Sequence, residues 1–133
     1  MERITIADVT LSNGDGVTLT VDAMGNVLAT AQCHNERKGY TATGRAGGSY
    51  DLTQRSAYDL ATMGRDALLN GYAVLFVNEP RRMSQAKRRA TTVVDTLAAL
   101  IVEKACECVA NGDAPAHCLK GDAGILFAYA CQE

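Results

Sequence analysis

The chain has 133 residues, 47% of them hydrophobic, with 13 Lys and Arg against 15 Asp and Glu and a formal net charge of −2. That length fits one domain over 1–133, large enough to bury about two-thirds of the surface its unfolded chain exposes. No run approaches the ~18 consecutive apolar residues of a membrane span, and the alternating start is not a signal peptide, so a cytoplasmic protein with no membrane partner is expected.

Residues 3–11 alternate through Ile4, Ile6, Val9 and Leu11 with a phase slip near Ala7, which predicts a strand with a bulge. Asn13-Gly14-Asp15-Gly16 is a turn signal, and Val17-Thr18-Leu19-Thr20-Val21 alternates cleanly, so the two strands form a hairpin. Met24-Gly25-Asn26 turns the chain into a third strand over 27–33, and the charged loop Asn35-Glu36-Arg37-Lys38 leads into a fourth over 39–45. Ala46-Gly47-Gly48-Ser49-Tyr50-Asp51 is expected to break the sheet and start a helix over 52–70, capped by Asp51 or Thr53, with Arg55 and Asp59 paired and Gly71 as its stop. The apolar run 72–77 then reads as a strand buried on both sides and ended by Asn78-Glu79-Pro80.

A long second helix follows, with Ser84 as N-cap and Gly112 as stop, roughly 39 Å at about 1.5 Å per residue. One stripe carries Ala90, Val93, Val94, Leu97, Ile101, Ala105 and Cys108, and a second set, Ala98, Leu100, Val102 and Val109, lies off that face. Apolar residues on two sides predict burial on two sides, against another copy of the chain or a second helix. Residues 124–130 close the chain as a last strand. The expected class is α+β, in the order ββββ-α-β-α-β, with two helices on one face of a mostly antiparallel sheet.

Five cysteines, Cys33, Cys106, Cys108, Cys118 and Cys131, form no disulfide rhythm and suit a reducing compartment. Cys106, Cys108, His117 and Cys118 supply four soft ligands. However, positions i and i+2 of a helix diverge by about 200°, which argues against a zinc knuckle. Cys33 and His34 are adjacent and on a strand point to opposite faces, so they do not make a nucleophile and base. Asp51, Asp59 and Glu79 have no catalytic spacing. No cofactor and no enzymatic activity are expected.

Charge is the most informative signal. Residues 81–89 hold five cations and no acid, leaving eight cations and fifteen anions elsewhere. Cations at a helix N-terminus oppose the macrodipole at a cost of about 0.3–1 kcal/mol each, so an anion is expected there. The glycine-rich run from Gly44 to Asp51 is a second place where bare amides near a helix start would cradle phosphate, although it is neither a Walker loop nor a dinucleotide fingerprint.

The segment Gly44-Arg45-Ala46-Gly47-Gly48-Ser49-Tyr50-Asp51-Leu52-Thr53-Gln54-Arg55-Ser56-Ala57-Tyr58-Asp59-Leu60-Ala61 resembles a glycine-rich, Tyr-Asp, helix-starting segment of small phage accessory proteins, among them the Thoeris anti-defence family. That resemblance implies an oligomeric, non-enzymatic sponge that sequesters a phosphate-bearing cyclic nucleotide. Arg45, Tyr50, Arg81, Arg82 and Arg88 are then the candidate ligand-binding residues, with Arg88 facing the ligand and Arg89 turned toward the packed face. Two further readings use the same basic turn: an inhibitor docked on a host protein, and a nucleic-acid module. With no aromatic residue inside the turn, the latter is limited to phosphate contact.

Overall fold

A computed structural model describes residues 3–22, 26–49 and 57–110. Strands β1 (Arg3–Thr10), β2 (Gly16–Asp22), β3 (Asn26–Asn35) and β4 (Tyr40–Ser49) form one antiparallel sheet in the order β1-β2-β3-β4. Helices α1 (Ala57–Leu75) and α2 (Pro80–Ala110) follow. The α+β class and the four-stranded meander are as the alternation predicts, and the phase slip is present as a register shift between Thr5 and Ala7. Gly14, at φ 94°, provides the left-handed residue of the β1–β2 turn, where the Leu11 amide donates to the Asp15 carbonyl at 2.7 Å.

One face of the sheet is dry. Val17, Leu19 and Val21 of β2 and Val27, Ala29, Ala31 and Cys33 of β3 are buried, and α1 lies over β3 and β4 while α2 packs along α1 and over β1. Small residues set how close α1 comes. A Cβ on Gly44 would collide with the Ala67 carbonyl and the Gly71 amide, and one on Gly71 would lie 2.7 Å from Cys33 Sγ. Leu60, Leu68 and Tyr72 of α1 and Val93, Leu97 and Ile101 of α2 then fill the layer between helices and sheet. Truncating one such leucine typically costs about 2–5 kcal/mol.

Three expectations need correction. The run 72–77 is not a strand: α1 continues to Leu75, burying Tyr72, Leu75 and Phe76 and exposing Val74 and Val77. A short apolar run fits either structure, and Gly71 is a mid-helix contact point against β3 rather than a stop. Ser84 is not the cap of α2. The helix begins at Pro80, with the Glu79 carbonyl accepting the Met83 amide at 2.9 Å, which puts proline at the first helical position, where its missing N–H costs nothing. Finally, 44–49 is no phosphate-cradling loop. Gly47 and Gly48 stand opposite Leu28 and Val27 in register, so this run is extended edge strand rather than a loop at a helix start.

The second apolar set of α2 is partly used within the chain, since Ala98 and Leu100 pack against the core. The caps Asp51 and Thr53, the Arg55–Asp59 pair, the stop at Gly112, the strand over 124–130 and the Cys106, Cys108, His117, Cys118 set lie outside the described residues or their described side chains. Among the described residues no helix is long and apolar enough to cross a membrane, and no three His, Cys, Asp or Glu side chains are grouped to hold a metal.

Candidate functional site

The β1–β2 turn, the end of β3 and the helix pair meet around one buried acid. Extending the inward phase of Val21, Leu19 and Val17 by one step places Asp15 inside, and its side chain is 0% exposed. A buried carboxylate requires hydrogen-bond donors, and Asp15 has four. Oδ2 accepts from Asn13 Nδ2 at 2.8 Å and from the Tyr72 hydroxyl at 2.5 Å, while Oδ1 accepts from the His34 amide at 3.1 Å and lies 2.5 Å from His34 Nδ1. In the sequence Asp15 reads only as a turn residue, and the inward alternation of β2 is the signal that places it inside.

Asp15 fixes the chemistry of its neighbours. Its hydrogen bond lifts the His34 imidazole above its ordinary value of 6.5, against the opposing pull of desolvation. With Nδ1 held by Asp15, the other ring nitrogen, Nε2, is left with Glu36 Oε1 at 3.3 Å. Burial, reinforced by Asp15, pushes the Tyr72 hydroxyl well above its usual range, while Arg89 acts the other way. The Arg89 guanidinium stands over the Tyr72 ring at 5.8 Å, a cation–π distance. Cys33 lies on the same inner face, one strand over from Asp15, with Sγ 4.0 Å from the Leu68 carbonyl, and desolvation, reinforced by Asp15, pushes its thiol up to about 12, which keeps it protonated.

A pocket of about 60 Å³ opens beside this cluster. Arg82, Gln85 and Arg89 reach it from successive turns of one face of α2, Asn13 and His34 from the strand ends, and Glu36 and Phe76 complete the wall. Asn35 holds this end of the molecule together. Fully buried, it donates through Nδ2 to the Leu75 carbonyl at 3.3 Å and to Glu79 Oε2 at 3.0 Å, and its Oδ1 accepts the Lys38 amide at 3.3 Å. The β3–β4 hairpin is thereby tied to the α1–α2 junction. As a result Arg37 joins Glu79, Pro80, Arg81 and Arg82 along a groove of about 530 Å³.

The candidate residues are therefore partly gathered and partly dispersed. Arg82 lines both the pocket and the groove, and Arg81 lines the groove. Arg88 is exposed and is not among the residues bounding either, whereas Arg89 is inside the pocket. Arg45 is exposed on β4, its carbonyl accepting from Asn70 Nδ2 at 2.8 Å, on a strand away from both. Tyr50 lies outside the described residues. Part of the anion that the charge pattern demands belongs to the chain itself: Glu79 carboxylate oxygens lie 3.5 Å from Arg82 Nε and 3.7 Å from Lys38 Nζ. Comparison with protein-family models, with characterised proteins and with solved structures found no match to this chain.

Proposed function

We propose that the protein binds a small phosphate-bearing ligand of the nucleotide type and releases it unchanged. It would then act as a sequestering protein in the sense implied by the likeness of the 44–61 segment to Thoeris anti-defence proteins. The observation that carries this reading is the convergence of Arg82, Gln85 and Arg89 with His34 on one pocket. Planar guanidinium forks match phosphate oxygens with paired, charge-assisted hydrogen bonds. The non-catalytic part is supported by the burial of the Cys33 thiol. A second reading, general acid–base cleavage of the bound phosphate ester, is favoured by the Asp15-oriented imidazole. Calorimetry against a panel of linear and cyclic nucleotides tests binding, and mass spectrometry of the recovered ligand separates the two readings. Arg89→Ala should weaken binding about 10- to 150-fold, the equivalent of about 1.5–3 kcal/mol for one charge-assisted partner. Arg88→Ala should leave it within about twofold. Equal losses in both variants would remove the pocket from the proposal.

A further inference from the structure

The pocket and the groove differ in size and in chemistry, and they share one residue. At about 60 Å³ the pocket is far below the ~300–1,000 Å³ typical of sites that enclose a whole small molecule, so it holds a single compact group. The groove, at about 530 Å³, falls within that range. Arg82 borders both, so a group seated in the pocket continues outward past its guanidinium toward Pro80, Arg81 and Arg37.

The donors in the pocket also select among anions. Arg82, Arg89, Gln85 and His34 line it, and with His34 Nδ1 held by Asp15 the imidazole has Nε2 to offer. Arginine has donors only, and a protonated imidazole donates from both nitrogens. A phosphomonoester presents three terminal oxygens and about −1.5 to −2 charge at neutral pH. A cyclic or bridging diester presents only two non-bridging oxygens and a single charge. Asp15 is buried, and the His34 imidazole 2.5 Å from its Oδ1, when protonated, offsets the charge that Asp15 would turn toward such a ligand. Glu36 Oε1 meets Nε2 at 3.3 Å from a side chain that is 71% exposed, a screened contact that a doubly charged group displaces.

We propose that the pocket is a terminal-phosphate site, taking the phosphomonoester end of a ligand whose body lies along the groove between Arg82 and Arg37. This rests on the phosphate-binding reading above, narrows it to linear monophosphates over cyclic diesters, and departs from the cyclic ligand that the resemblance of the 44–61 segment implies.

The test is calorimetry on the full chain near pH 6.5 with inorganic phosphate, adenosine 5′-monophosphate and adenosine 3′,5′-cyclic monophosphate. Inorganic phosphate should bind, the 5′-monophosphate should bind more tightly than phosphate, and the cyclic diester should bind at least tenfold more weakly than the 5′-monophosphate. Arg82→Gln and Gln85→Ala, both at positions outside the core, should each weaken phosphate binding severalfold or more while the protein melts as the wild type does. Binding of the cyclic diester as tight as that of the monophosphate would overturn this inference and leave the broader reading standing. Phosphate binding untouched by both substitutions would overturn the placement, and a 5′-monophosphate no tighter than phosphate would overturn the role of the groove. No binding of any of the three would overturn this inference and the broader reading together.

Discussion

Replacing Asp15 with Asn keeps the shape of the side chain and changes only its hydrogen-bonding sense. One carboxylate oxygen becomes an NH₂ that faces donors it cannot accept from. If the amide oxygen stays with His34, the Tyr72 hydroxyl and Asn13 Nδ2, now at 2.5 and 2.8 Å from Oδ2, lose their acceptor. Hydrogen bonds to a charged group contribute about 1.5–3 kcal/mol each. The Tyr72 hydroxyl recovers part of this by turning to accept, and the lost carboxylate no longer has to be desolvated. The expected net loss is about 2–4 kcal/mol, a large share of the ~5–15 kcal/mol that stabilises a domain. In urea, with a slope of about 1–3 kcal/mol per molar, the midpoint should fall by about 1–2 M. Tyr72→Phe alone should cost about 1.5–3 kcal/mol, and the double variant should cost less than the two together because the partners are coupled. The pH dependence supplies an independent check. His34 is raised above its ordinary 6.5 by Asp15, so the stability it contributes is complete below about pH 6.5 and is lost as pH rises through its folded value. Asp15→Asn should flatten that slope. A variant within about 0.5 kcal/mol of wild type, or one less stable but with the slope intact, would refute the account of this cluster.

Gly44→Ala should destabilise by about 1–3 kcal/mol in thermal or urea melts, since the added methyl meets the backbone of Ala67 and Gly71 rather than a side chain that can move; an unchanged melt would mean that α1 sits farther from β4. Cys33, with its thiol pushed up to about 12, should resist iodoacetamide at pH 8 until urea unfolds the chain. Peptide mapping that found it labelled at the rate of a free thiol in native protein would contradict its burial. Self-association is also expected, now through Val74 and Val77, which are 70% and 75% exposed beside a groove that includes Leu69, Ala73, Phe76 and Met83. Light scattering should give a multiple of 14.1 kDa that Val77→Asp reduces to the monomer, and a wild-type mass of 14.1 kDa would reject it.

Local patterning was enough for the meander. Alternation with period two and turns marked by glycine are written within a few residues of each other, so β1 to β4, their antiparallel order and even the slip at Ala7 follow from neighbours in the chain. The same holds for the stripe through Ala90, Val93, Leu97 and Ile101, whose spacing commits α2 to one buried face whatever covers it. Tertiary packing decided the rest. Residues 72–75 stay helical because Gly71 and Tyr72 dock against Cys33 and Asp15, contacts from strands far earlier in the chain that no local propensity encodes. The proposed anion site has the same origin: Arg82 and Arg89 are visible as a charged run, but only the folded chain brings His34 opposite them, leaves Arg88 out of the pocket lining and uses Asn35 to carry Arg37 to the start of α2. A charge run shows that an anion is wanted, while its position depends on which side of the helix the core takes, and that is settled by packing.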